Sequence, residues 1–293
     1  MKDILLRGNS IDGAIRVFVT ITTELVNKAQ QIHHTYPVAT AALGRTLTAA
    51  AIIGAGLKNE TDTTTIQFKG DGPIGSIVAV TDSASKVRGY AVNPLVDLPL
   101  NEKGKLDVGG AVGKGYLNVI RDLGMKEPYA GQVPIVTGEI AEDLTYYFAR
   151  SEQIPTAIAL GVLVDTDNSV ICSGGFMIQL MPEATEDMAE RIEEHMKTLE
   201  PITEMIRKGM SAEEIFFHIT EGFDMIMENK AVEPEYQCKC SKARMEKALI
   251  AIGKEELQGI IDEQGEAELT CQFCDNRYKF FKEELVELLK SAK

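Results

Sequence analysis

Four of the five cysteines lie in the last fifth of the chain, as Cys238-Lys239-Cys240 and Cys271-Gln272-Phe273-Cys274, two tight pairs thirty residues apart. Four thiolates so spaced suit one tetrahedral zinc ion per chain, since closed structural sites hold the metal at about 2.3 Å from each sulfur. Each pair can supply two ligands from one side. Zinc keeps its sulfurs as thiolates, the form that oxidants attack, so Cys238, Cys240, Cys271 and Cys274 are candidate metal ligands and candidate redox-active groups at once. A disulfide within the Cys-x-Cys pair would close a small strained ring and be easily reduced. Lys239, Lys242, Arg244 and Arg277 are expected to offset the negative charge of a four-thiolate site.

Little else in the chain has the makings of chemistry. Cys172 follows Val170-Ile171 in an apolar run and reads as a small buried hydrophobe. Gly70–Gly75 (GDGPIG) begins like a dinucleotide loop, but Pro73 and the strand pattern after it make a turn. His33 and His34 close a helix, where cations suit the dipole, while His195 and His218 fall in acidic helices without a second ligand at useful spacing. Glu139, Glu142 and Asp143 open a helix and read as dipole partners. No catalytic residue is assigned, and the chain is not expected to be an enzyme.

Holding the two thiol pairs together requires a small folded unit. Helical patterns at 241–252 and 254–262 follow the first pair, and strand patterns at 267–270 and 278–281 flank the second, with a tight turn at Asp275-Asn276. The expected result is a hairpin knuckle. Upstream, residues 182–232 carry thirteen Asp and Glu against five Lys and Arg, more than half the excess charge of a chain whose net charge is -14. Nine of the eleven methionines fall between Met177 and Met245. Methionine suits adaptable apolar surfaces, and equally ordinary core packing; both readings stand. Ser211-Ala212-Glu213-Glu214 is a capping box for one helix of this segment.

Residues 1–181 hold most of the strand signals. Ile11, Ala14, Ile15, Phe18, Ile21 and Leu25 recur at helical spacing behind Asn9 or Ser10, predicting an amphipathic helix. Residues 37–57 predict a buried helix rich in small side chains. Strands are predicted at 64–69, 74–81, 87–92, 115–121, 133–137, 156–164 and 169–180, with a helix at 140–151. The class is α+β: a mixed-sheet N-terminal domain with packed helices (1–181), an acidic helical linker (182–232) and a C-terminal zinc-binding unit (233–293).

At 293 residues and 44% hydrophobic, the chain can bury a large core. No apolar run of spanning length and no signal peptide are evident, so the cytoplasm is the expected setting and the membrane is not an expected partner. In a reducing compartment, paired cysteines favour metal or redox roles over permanent disulfides. The acidic balance speaks against nucleic acid, which is bound through Lys and Arg. Two alternatives are a thiol-disulfide oxidoreductase, which needs one exposed low-pKa cysteine, and a nucleic-acid-binding zinc ribbon, which needs a basic face.

Over essentially its whole length the sequence resembles the Hsp33 family of redox-regulated chaperones. The resemblance is carried by Gly44–Ala50 (GRTLTAA), Gly131–Gln153 (GQVPIVTGEIAEDLTYYFARSEQ), Gly174–Pro182 (GGFMIQLMP) and the two cysteine pairs. It implies a stress-response holdase that is inactive when reduced and zinc-bound. Oxidation would form a disulfide within each pair, release zinc and unfold the linker. The exposed surface would then hold unfolded or misfolded client proteins without ATP, usually as a homodimer, until ATP-dependent chaperones take them. Cys172 lies outside that switch.

Overall fold

The computed structural model describes residues 2–292. The chain divides into two compact units, with the boundary between Gln237 and Cys238. In the first unit the order is β1 (Ile4–Ser10), β2 (Ile15–Ile21), α1 (Thr23–His33), α2 (Pro37–Ala55), β3 (Thr63–Gly70), β4 (Ser76–Asp82), β5 (Lys86–Ala91), α3 (Val108–Val112), β6 (Gly115–Asp122) and β7 (Tyr129–Pro134). It continues through α4 (Ile140–Tyr147), a π-helical turn (Phe148–Glu152), β8 (Thr156–Val164), β9 (Val170–Leu180), α5 (Glu186–Thr198), α6 (Ile202–Arg207), α7 (Ala212–Ile219), β10 (Met225–Met227) and β11 (Glu235–Tyr236). Two sheets result, ordered β10-β1-β2-β9-β8 and β11-β5-β4-β3-β6-β7. The second is mixed, because β11 joins β5 in parallel.

Helix α2 packs against strands of both sheets. All its residues except Pro37 and Arg45 are buried, which demands small side chains and satisfied hydroxyls. Thr46 and Thr48 donate to the Ala42 and Gly44 carbonyls within the helix, and a Cβ on Gly44 would come within 2.6 Å of Val26. By length and composition α2 could cross a membrane, contrary to the expectation that no run reaches that length, but 94% of that window is buried inside the protein.

Residues 11–25, expected as one helix, instead supply the β1–β2 turn, β2 and the start of α1. The turn is Asp12-Gly13, with Gly13 at φ +76 and the Asp12 carboxylate accepting from Ala14 N at 3.0 Å. Most of β2 is buried on both faces, so apolar residues fill consecutive positions and no alternation marks the strand.

The acidic, methionine-rich segment covers one face of the first sheet. Ile202, Met205 and Ile206 of α6 and Ile215, Phe216 and Ile219 of α7 form a core with Val17, Val19, Ile21, Cys172, Phe176 and Ile178 of the sheet. Met188, Met196, Met210, Met225 and Met227 pack partly buried against it, and Met205 is wholly buried. These methionines therefore serve as packing. Helix α5 is held more lightly: Ile192 is its one buried residue, while Glu186, Asp187, Glu190, Glu193 and Glu194 are exposed. The Ser211–Glu214 capping box forms, with Glu214 N donating to Ser211 Oγ at 3.2 Å and Ser211 N to Glu214 Oε2 at 2.8 Å. Beyond α7 the chain returns to the sheet as β10, paired with β1.

The second unit contains α8 (Lys242–Ala251), α9 (Lys254–Glu263), β12 (Glu266–Thr270), β13 (Arg277–Phe281) and α10 (Lys282–Leu289). Its core comprises five buried residues, Leu249, Leu257, Ile261, Phe280 and Leu285. So small a core is marginal for independent folding. Both strands were expected; α10 was not, because it follows Phe281 without a break.

Candidate metal centre

The antiparallel pairing of β12 and β13 runs from Glu266↔Phe281 to Thr270↔Arg277 and leaves Cys271–Asn276 as the connecting turn. Within it Asp275 takes a left-handed conformation at φ +56, Cys271 N donates to Asn276 O at 2.9 Å, and Asp275 N donates to Cys271 O at 2.8 Å. These bonds curl the turn so that Cys271 and Cys274 present sulfur to the same side. The other pair lies just before α8, whose first turn is capped by Ser241 accepting from Arg244 N at 3.4 Å.

All four sulfurs converge, lying within 4.8 Å of one another. The spacing is 3.7 Å for Cys238 to Cys271 and 3.3 Å for Cys240 to Cys274. Sulfurs about 2.3 Å from a shared tetrahedral centre would be roughly 3.8 Å apart, so the donor set and its dimensions fit one thiolate-bound metal ion. Cys271 is buried and the other three are half-buried.

The surroundings treat the thiols unequally. Burial pushes Cys238 and Cys274 up. At Cys240 burial also opposes ionisation, but hydrogen bonds from Tyr278 and from the neighbouring thiols outweigh it and bring the group down to about 7. The Tyr278 hydroxyl is 3.0 Å from Cys240 Sγ, and that contact pushes the phenol up to about 12. A hydroxyl so placed can donate to a Cys240 thiolate. Asn276 Nδ2 lies 3.9 Å from the same sulfur.

Tyr278 and Asn276 escaped the sequence analysis, where both read as hairpin residues; a tyrosine four residues past a Cys-x-x-Cys pair is the one signal available. The expected charge compensation is also revised. Lys242 pairs with Glu284 and sits 5.1 Å from the Phe280 ring, and Arg277 pairs with Glu268 at 3.5 Å. Carboxylates on adjoining elements, rather than sulfur, claim these two cations.

The other candidates lie in the first unit. Cys172 is 3% exposed, its thiol pushed up by burial, with Sγ 3.5 Å from the Thr203 carbonyl. His33 Nε2 is 3.0 Å from Gly89 O and 3.1 Å from the Tyr236 hydroxyl. His195 Nε2 is 3.1 Å from His218 O. Glu139 pairs with Arg45 at 2.5 Å. Buried Asp143 accepts from the backbone of Val136, Thr137 and Gly138, bracing the loop that leads into α4. Gly70–Gly75 is the β3–β4 turn, with Gly75 at φ +70.

Fold and site together define an α+β protein of two units whose C-terminal unit carries four converging cysteines able to hold a metal ion. A model of the Hsp33 protein family matches residues 3–281, and the chain belongs to that family. The 33 kDa chaperonin of Clostridium beijerinckii is 49% identical over 294 residues and covers all of both chains. That of Clostridium tetani is 50% identical over 292 residues, covering 99% of each. The crystal structure of the Thermotoga maritima 33 kDa chaperonin, a heat shock protein 33 homologue, aligns with a TM-score of 0.91 at 40% identity, covering 99% of this chain and 98% of that one. These relatives are named as chaperonins, and the chain is accordingly a chaperone-family protein rather than an enzyme.

Proposed function

We propose that this chain is a redox-regulated holdase of the cytoplasmic stress response, switched by Cys238, Cys240, Cys271 and Cys274. The observation that carries the proposal is the convergence of their four sulfurs within 4.8 Å. When bound, one zinc ion would hold these sulfurs as thiolates and cross-link the loop before α8 to the β12–β13 turn. Peroxide or hypochlorite would take two electrons from each thiolate pair as its disulfide forms, Cys238 with Cys240 and Cys271 with Cys274, the oxidant taking up solvent protons and leaving as water, or as chloride and water. The ligand set is thereby consumed and zinc is released.

Three functional segments follow: a core at 1–181, a releasable linker at 182–232 and a switch unit at 233–293. With the switch unit unfolded, the linker helices α5, α6 and α7 leave the first sheet, and the apolar surface that α6 and α7 cover becomes available to unfolded proteins. The active species is a homodimer that holds clients without ATP and passes them to ATP-dependent chaperones.

The test is aggregation of heat-denatured citrate synthase, followed alongside zinc release. Oxidised protein suppresses aggregation and reduced, zinc-loaded protein does not; equal suppression by both would sink the switch.

A further inference from the structure

A cleft of about 370 Å³ opens in the first unit beside the C-terminal end of α2, lined by Arg7, Asn9 and Arg16 of the β1–β2 hairpin, Leu57 and Lys58 after α2, and Glu228 after β10. Three cations and one carboxylate meet there in a protein of net charge -14. Arg7 is engaged: its Nε donates to Glu228 Oε2 at 2.6 Å and its Nη1 to Ala55 O at 3.1 Å. Arg16 has one long hydrogen bond, from Nε to Asn9 Oδ1 at 3.5 Å, which leaves its terminal guanidinium nitrogens and the Asn9 amide nitrogen as donors for something else. Lys58 is exposed at the rim.

The carbonyls of the last turn of α2 do not oppose an anion here. Ile53 O and Gly54 O accept from Gly56 N and Leu57 N, and Ala55 O is taken by Arg7. An adjoining recess shares Arg16, Phe18, Gly56 and Leu57 and adds Arg121. Arg121 is already engaged, its Nη1 lying 3.2 Å from Glu152 Oε2, so the free donors belong to Arg16 and Lys58.

We propose that this cleft binds a diphosphate group, free or carried by a larger molecule, with Arg16 gripping one phosphate in bidentate fashion and Lys58 and Arg7 taking the other. Arginine's planar fork suits such oxyanions, and lysine serves as a point charge. Volume and charge both favour two phosphates over one. The cleft exceeds a single oxyanion, and its cations outnumber its carboxylate by two. Because the chain as a whole repels anions, any uptake must come from this local arrangement. Glu228 is the built-in competitor, occupying Arg7 until the ligand arrives.

The test is calorimetric titration of the full-length reduced protein with inorganic pyrophosphate and, separately, adenosine 5′-diphosphate, at matched ionic strength. Saturable one-to-one binding is expected for at least one of them; tighter binding of the nucleotide assigns a carried diphosphate, and tighter binding of pyrophosphate the free ion. The double variant R16Q/K58Q should bind about tenfold more weakly or worse, while Glu228→Gln, which frees Arg7, should bind more tightly. Lys103→Gln, on an exposed loop outside the cleft, should match the parent and so exclude a simple net-charge effect. Circular dichroism establishes that each variant is folded. No saturable binding of either compound, or equal affinity in R16Q/K58Q and the parent, overturns the proposal.

Discussion

Gly161 of β8 and Gly174 of β9 face each other across the strand pair, and both open their bare Cα toward α6. A Cβ on Gly161 would come within 2.7 Å of Thr203 and 2.8 Å of Ile202; one on Gly174 would meet Ile206 at 2.6 Å and the Thr20 carbonyl at 2.7 Å. The pair makes a smooth strip on which the helix can lie closely. The Gly161→Ala variant meets the Cγ2 methyls of Ile202 and Thr203, β-branched groups held stiffly to α6, so the helix must shift; the variant is expected to lose about 1–3 kcal/mol through overpacking, measured by urea unfolding. If docking of this segment restrains activity, reduced Gly161→Ala should also suppress citrate synthase aggregation more than the parent does.

Tyr278 is expected to tune the metal centre without being a ligand. Tyr278→Phe removes the donor 3.0 Å from Cys240 Sγ and leaves the strand and its packing intact. Losses of such outer partners typically cost about 10–100-fold in metal affinity. Competition against a chromophoric zinc chelator should place the variant in that range; unchanged affinity would show the hydroxyl to be a bystander.

Removing the metal should melt the C-terminal unit and spare the first. Among the described residues the apolar cluster of that unit has five buried members, whereas bound zinc contributes an apparent ~10–16 kcal/mol in small zinc peptides. Backbone amide exchange in chelator-treated, reduced protein should show α8–α10 losing protection while α2 keeps it. Phe280→Ala, at an expected cost of about 3–5 kcal/mol, should lower the chelator concentration needed.

Asp3 gives the first unit a pH dependence of definite sign. Its carboxylate accepts from Glu24 N at 2.9 Å and Leu25 N at 2.7 Å, capping α1 from the residue just before β1, where Thr22 makes no side-chain cap. Burial outweighs those bonds and pushes the group up to about 6. The folded protein therefore binds the proton more tightly than the unfolded chain does. The resulting stabilisation is complete below pH 3.8, the ordinary value, and fades as pH rises through about 6. The change amounts to roughly 3 kcal/mol. Asp3→Asn should flatten the stability profile over that interval, as seen in urea midpoints at several pH values; an unaltered slope would rule out this carboxyl as its source.

The elements easiest to read were those bounded by turns or bearing one clear face. Thr156–Val164 is a strand over the expected span, and 37–57 contains the buried helix α2. The strand expected at 133–137 lies earlier, at Tyr129–Pro134, where exposed and buried residues alternate up to Pro134. Where tertiary burial hides the period, local pattern misleads: β2 has apolar neighbours on both faces, and Asp12-Gly13 was the overlooked hairpin signal. The two short strands β10 and β11 borrow their partners from β1 and β5, far away in sequence, so local composition could not announce them. The convergence of the four sulfurs at the candidate metal centre was legible from their spacing. Tyr278 was not, because its role depends on the hairpin register that lays its hydroxyl beside Cys240.

The strand order of the first sheet has one more consequence. The chain leaves that sheet at Leu180, runs through α5, α6 and α7, and rejoins it at Met225. While β10 stays paired, helices that lift off form a tethered loop rather than a free tail. The entropic cost of closing such a loop grows only slowly with its length, so re-docking within one chain is an intramolecular step, and any dependence on protein concentration comes from separation of the proposed dimer. Resetting the molecule then resembles fastening a strap anchored at both ends.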